Sequence, residues 1–250
     1  GRFLDPRVEE KTLKILKLET APVSTQVLQR DRHAEVLSAL AILGGSLEKL
    51  ATEVRHLQKT ETLEVEEPFS EGQTGSSAMP HKRNPVNCER VAGLARVLRG
   101  NSHAAVENIA LWHERDITHS SVERVILPDA SILVDYMLAT FTRIMSDLVV
   151  HPDRMMENVE AGLGLFFSES LLLALVNTGL TRETAYRMVQ ESAMTARDQR
   201  RQMRDVVEEH GPSLAALSPK DLDKVFDIKK FIAKTPVVFK RFASTKKGSR

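Results

Sequence analysis

Apolar residues recur along most of this 250-residue chain at steps of three and four, and alternation with a period of two is hard to find. That spacing predicts helices, because residues three and four apart share one helix face. The strongest run lies between about Thr25 and Glu61, where Val36, Leu40, Leu43, Leu47, Leu50, Val54 and Leu57 form a heptad seam. A helix of roughly 35 residues would be about 50 Å long at 1.5 Å per residue, so it needs partners of similar length. Gly44-Gly45 in its middle lowers helix propensity, and we read the pair as a close approach by another helix.

A second long helix is predicted from Asn84-Pro85, read as N-cap and first helical residue, through Val91, Leu94, Ala95, Leu98, Ala105, Ile109 and Trp112. A third follows the polar stretch from Glu114 to Ser120 and runs to about Val149, with Pro128 expected to kink it near its start. His151-Pro152-Asp153 breaks the pattern. Beyond it, shorter helices are expected at about 153–160, 166–178 and 182–209, with one more capped by Ser218-Pro219. The expected architecture is all-α: a long-helix bundle over residues 1–150, then a small helical domain with a basic tail over residues 151–250.

Lys+Arg 35 against Asp+Glu 34 leaves a formal net charge of +1, so no global field recruits nucleic acid and any anion preference must be local. The single cysteine, Cys88, excludes an internal disulfide framework and a thiolate metal cluster, which suits a reducing compartment. No run approaches the roughly 20 apolar residues of a membrane span, and the first residues lack the core of a signal peptide. The expectation is a cytoplasmic protein with neither nucleic acid nor membrane as partner. The first residue is Gly1 rather than methionine, which reads as part of a longer protein.

The densest candidate chemistry lies in Gly75-Ser76-Ser77-Ala78-Met79-Pro80-His81-Lys82-Arg83-Asn84-Pro85. Two hydroxyls and two cations share a glycine-flanked loop that ends on a helix start, whose amides favour anions. Ser76 or Ser77 would serve as a base only with strong local help, for which Lys82 and exclusion of water are available; otherwise the pair is turn chemistry. Lys82 and Arg83 favour an anionic ligand. A phosphate loop of the G-x-x-x-x-G-K-[ST] type is excluded by the glycine spacing. A second constellation, Trp112 to Arg124, joins two long helices. With Ser120 or Ser121 capping the third helix, Ser120 and Arg124 fall one turn apart, a phosphate site in outline or an ordinary capped turn. Gln26, opening the first long helix, contacts a ligand or merely caps, and Glu89 orients a histidine or is a solvated acid. His113 and His119, six apart, do not share a helical face, so no metal is expected there; no cofactor is expected either.

Gly75 to Pro85 matches the signature Gly-Ser-Ser-x-Met-Pro-x-Lys-x-Asn-Pro of the fumarase/aspartase superfamily at every defined position, and the chain resembles that superfamily from residue 1 to about residue 210. His81 to Pro85, Ala21 to Gln26 and the Arg115 to Arg124 block resemble its bacterial-type adenylosuccinate lyase family. The resemblance implies elimination of fumarate from adenylosuccinate, and from the succinylated aminoimidazole carboxamide ribotide of purine synthesis. By resemblance, Ser76 is the general base and Ser77, Lys82 and Asn84 bind the succinyl carboxylates; Arg83, at an undefined position of the signature, joins the substrate-binding candidates on its charge alone. Arg115, Ser120, Ser121 and Arg124 hold the nucleotide, chiefly its phosphate, and Gln26 contacts substrate. Glu89 matches the acid that supports the family's general-acid histidine, which would precede residue 1. The family also implies a homotetramer with shared active sites and a small-molecule nucleotide as substrate. Two alternatives stand beside this reading: a carboxymuconate cycloisomerase-like enzyme, which shares the His-Lys-Arg-Asn-Pro string, and an inactive helical scaffold.

Overall fold

The structure is a computed structural model in which the described residues are 5–69, 79, 81–211 and 216–245. Ser76 and Ser77 lie outside them, as do Gly72, Gly75 and Pro80. The chain divides into two compact units, Gly1–His151 and Pro152–Arg250.

The first unit opens with α1 (Pro6–Ile15), whose N-cap Asp5 accepts from the Arg7 amide at 2.9 Å. Three long helices follow: α2 (Asp31–Leu57), α3 (Val86–Glu107) and α4 (Thr118–Ser146). They pack on one another as a bundle. α2 and α3 are shorter than the sequence pattern suggested, and α4 both starts and ends earlier, for local reasons. Before α2, the Thr25 hydroxyl donates to the Val27 carbonyl at 3.2 Å, a turn that competes with helix, so Gln26 sits in irregular chain rather than opening the helix. After α4, the β-branched pair Val149–Val150 forms strand β2, antiparallel to β1 (Val65–Glu66), with Val65 opposite Val150 and Glu66 opposite Val149. This short ladder is an addition to the all-α expectation. α4 continues through Pro128 as one helix.

The heptad seam on α2 is only partly inward. Leu47 and Val54 are buried, but Val36 and Leu50 are about half exposed, and small residues take their place in the core. Ala34, Leu37, Gly44, Leu47, Ala51 and Val54 make the buried face of α2, against a neighbour that buries Ala92, Ala95, Leu98 and Ala105 on α3. Gly44 shows why. A Cβ there would lie 2.6 Å from Leu98 Cδ1 and 3.7 Å from the Ala95 Cα, so the two backbones approach closely, whereas nothing described lies within 4 Å of a Cβ at Gly45. Ser38 and Ser102 hydroxyls meet at 3.1 Å across the same seam. α4 adds Ile126, Ala130, Val134, Met137, Phe141 and Ile144 to the core. By length and composition, α4 is the one described helix that could cross a membrane on its own, a property that counting uninterrupted apolar runs does not reveal.

The second unit holds α5 (Pro152–Ala161), a 3-10 turn (Leu165–Phe167), α6 (Ser168–Asn177), α7 (Arg182–Gln199), α8 (Met203–Glu209) and α9 (Pro219–Val225). Leu171, Leu175, Met188, Met203, Val207 and Leu222 centre its core. The helix expected over 182–209 is two helices, because Arg200 takes left-handed backbone angles (φ 51°, ψ 45°) and ends α7. The Met203 amide then donates to the Leu163 carbonyl at 2.8 Å, turning α8 back. At Ser218 the expected cap is a full capping box with Asp221.

Candidate active site

α2 ends in a turn in which Leu63 has φ 48°, and the chain then enters β1. Glu67, directly after β1, is buried at 4% exposure and accepts three hydrogen bonds from the start of α3. Asn87 N donates to Oε1 at 3.1 Å, Asn87 Nδ2 to Oε1 at 2.6 Å, and Cys88 N to Oε2 at 2.9 Å. The Glu67 amide in turn donates to Gln58 Oε1 at 2.8 Å, and Gln58 Nε2 donates to the Arg83 carbonyl at 3.1 Å. This corrects two sequence expectations. Pro85 rather than Asn84 occupies the N-cap position, with no side-chain cap of its own, and α3 begins at Val86. The free amides of that helix start are not open to an outside anion, because a carboxylate of the same chain already occupies them.

Cys88 belongs to this arrangement. Burial, and then the neighbouring Glu67 carboxylate, push its thiol up to about 12, so it is protonated at neutral pH and no nucleophile.

Beside the α3 start lies an open pocket of about 1040 Å³, lined by His81, Lys82, Arg83, Asn84 and Glu89 together with Arg55, His56, Lys59, Glu66 and Phe69. Of the expected site residues, Lys82, Arg83, Asn84 and Glu89 therefore share one cavity. Lys82 has no ion-pair partner among the described residues. Arg83 does: its Nη1 is 3.7 Å from Glu66 Oε2, and its guanidinium lies 5.3 Å from the Phe69 ring centroid. Glu66 Oε1 is also 2.7 Å from His151 Nε2, which ties the strand pair to the signature segment. The residues from the end of α2 and from β1 were missed by sequence reasoning. Nothing in their spacing along the chain marks them, since the turn at Leu63 is what brings Glu66 and Phe69 to the pocket that the end of α2 lines.

The second constellation also differs in detail from its expectation. α4 begins at Thr118, and neither Ser120 nor Ser121 caps it. Asp116 does that work: its carboxylate accepts from Trp112 N and Thr118 N, each at 2.9 Å, and from the Thr118 hydroxyl. The Thr118 hydroxyl foremost, then those amides, hold the Asp116 carboxyl below its ordinary value. Ser120 and Arg124 both lie inside α4, one turn apart, with Arg115 and Arg124 exposed. Arg30, at the start of α2, donates from Nη1 to Glu123 at 3.2 and 3.3 Å, and both side chains are nearly buried. That pair puts the chain just after Gln26 beside the Arg115 to Arg124 block.

The expected site residues thus form two groups that one chain does not bring together. Arg30 meets Glu123 at the first turn of α2, while Gln58 meets Arg83 just past its last. The 27 residues between them span about 40 Å of helix. No cluster of His, Cys, Asp or Glu able to hold a metal occurs among the described residues.

A family model described as lyase matches residues 3–100, and one described as adenylosuccinate lyase C-terminus matches residues 164–242. The adenylosuccinate lyase of Bacillus subtilis is 50% identical over 238 residues, covering 95% of this chain and 55% of that protein. That of Staphylococcus saprophyticus is 48% identical with the same coverage. The chain spans about half the length of these curated relatives. Among solved structures, 3-carboxy-cis,cis-muconate lactonizing enzyme from Pseudomonas putida matches with a TM-score of 0.84 and 31% identity, covering 95% of this chain and 52% of that one. A fumarate lyase from a Mesorhizobium species matches at 0.77 and 25%, covering 88% and 48%.

Proposed function

We propose that the chain is part of a protein of the adenylosuccinate lyase family, which its two family-model matches and its curated relatives support, and that it contributes to a lyase eliminating fumarate from adenylosuccinate and from the succinylated aminoimidazole carboxamide ribotide of purine synthesis. The observation that carries this reading is the pocket at the start of α3, where Lys82 and Asn84 of the signature string and Glu89 just beyond it line one space. The bond chemistry requires such a place. A proton on the carbon next to a carboxylate is a weak acid, and removing it puts a second negative charge on that carboxylate. Fixed cations and amides must be ready where the charge develops. In the proposed step Ser76 takes the proton, the C–N bond breaks with its electrons leaving on nitrogen, and a histidine that these matched positions do not supply protonates the nitrogen. Ser77, Lys82 and Asn84 hold the succinyl carboxylates, with Arg83 beside them. Glu89 supports the acid. Fumarate and AMP result.

Gln26, Arg115, Ser120, Ser121 and Arg124 bind the nucleotide, chiefly its phosphate, and they act at the other end of the bundle. Since about 40 Å of α2 separates the two groups, a complete site draws them from different copies, and we propose a homotetramer with shared sites in the cytoplasm. The exposed Val36, Ile42 and Leu50 on α2, with Val125 and Ile132 on α4, are the faces such copies would cover.

A cycloisomerase acting on a carboxymuconate is the less favoured reading, because the curated relatives at about half identity carry the adenylosuccinate lyase name and the lactonizing enzyme stands at 31%. Fumarate release from adenylosuccinate and from its analogue lacking the phosphate decides between them. The phosphorylated substrate should be strongly preferred. Equal turnover of both would contradict the roles given to Arg115 and Arg124.

A further inference from the structure

The carboxylate that closes the start of α3 lies on a different element, one residue beyond β1, and its neighbours on the chain reach the same pocket. Glu66 pairs with Arg83, and Gln58, which holds the Glu67 amide, also holds the Arg83 carbonyl. Every polar contact described for the Glu67 side chain goes to Asn87 or Cys88. We propose that Glu67 is a positioning residue: by capping α3 from outside the helix, it fixes the first turn that sets both Asn84 and Glu89 in the pocket lining. This rests on the lyase reading for its kinetic consequence, and on geometry alone for its structural one.

α3 has no side-chain cap of its own. Pro85 offers no side-chain acceptor, so if Glu67 were lost the part-buried amide of Asn87 and the buried amide of Cys88 would be left without partners. A helix start in that condition unwinds or shifts until water reaches it. Asn84 precedes it by two residues and Glu89 follows by three, so a change of one turn moves both. A carboxylate suits the task better than an amide. Its two oxygens both accept, whereas a glutamine would turn a donor toward one of two backbone donors. The charge also complements the positive end of the helix.

Cys88 supplies a reporter independent of turnover. Its amide is one of the capped groups, and its thiol is held up by burial and by Glu67 itself. In the protein that carries this chain, with its native assembly intact, Glu67→Gln is expected to lower kcat on the order of 10²-fold with KM changed far less, since a small displacement of reacting groups costs that much. Glu67→Asp, which keeps the charge one methylene short, should recover part of the loss. Alkylation of Cys88, followed by peptide mass mapping, should be faster in Glu67→Gln than in the parent at the same pH, and hydrogen exchange at the Asn87 and Cys88 amides should rise. Kinetics like the parent's in Glu67→Gln, or unchanged Cys88 labelling and exchange, would overturn the proposal. Where Glu67→Gln fails to assemble, Glu67→Asp decides: parental kcat together with parental labelling overturns it. A parent that releases no fumarate while Glu67→Gln still exposes Cys88 would mark the lyase reading as the part that failed.

Discussion

Single residues in this protein do their work through partners that lie far off along the chain. Arg30 and Glu123 are 93 positions apart, yet their side chains are only 11% and 14% exposed and meet at 3.2 Å. An ion pair held this far from water gives little net stability as a pair, but removing one member leaves a charge without a partner. Glu123→Ala is therefore expected to lower stability by about 3 kcal/mol, and the double change Arg30→Met with Glu123→Leu by clearly less. Thermal or denaturant unfolding of the parent, Glu123→Ala and the double variant checks this. A Glu123→Ala variant as stable as the parent would show that the pair is ornamental. The same scale explains what the sequence concealed. The signature string from Gly75 to Pro85 was legible because its residue types are contiguous, whereas the Glu67 cap is legible only once the turn at Leu63 has carried β1 back to α3. Likewise, Ser120 and Ser121 looked like caps because serine favours that role, but Asp116 satisfies the Thr118 amide first and starts α4 earlier.

At the scale of elements, helix identity was legible and helix faces were not. The three-and-four spacing identified the long helices of the first unit, since nothing else buries such a stripe. It missed their ends, where turn chemistry at Thr25 and the β-branched Val149–Val150 pair overrode periodicity. The heptad count favoured large residues, so it passed over Ala34, Gly44 and Ala51, which let α2 lie close to α3. The glycine pair gives a direct test of that close packing. Gly44→Ala should destabilise by about 1 kcal/mol, because displacing the fully buried Leu98 outweighs the gain in helix propensity. Gly45→Ala, with open space at the same point, should stabilise by up to about 1 kcal/mol through propensity alone. Melting temperatures of the two variants in the same assembly provide the comparison. A Gly44→Ala variant more stable than the parent would contradict the packing described for the α2 and α3 seam.

For the whole molecule, the decisive feature is that its two chemical groups of residues sit at opposite ends of a long bundle. Lys82, Asn84 and Glu89 surround the pocket at the start of α3, while Ser120 and Arg124 lie on the first turns of α4, beside the start of α2. No motion of side chains closes about 40 Å. The proposed elimination therefore depends on copies of the chain sharing residues, and mixing inactive variants tests both the chemistry and the sharing. Ser76→Ala and Arg124→Ala should each lose on the order of 10²-fold or more in fumarate release from adenylosuccinate. When the two are dissociated together and reassembled, sites that take Ser76 from one copy and Arg124 from another regain both groups, so roughly a quarter of the parent activity should return under random assortment. Mixtures that release no more fumarate than the separate variants, despite verified exchange of subunits, would contradict the account.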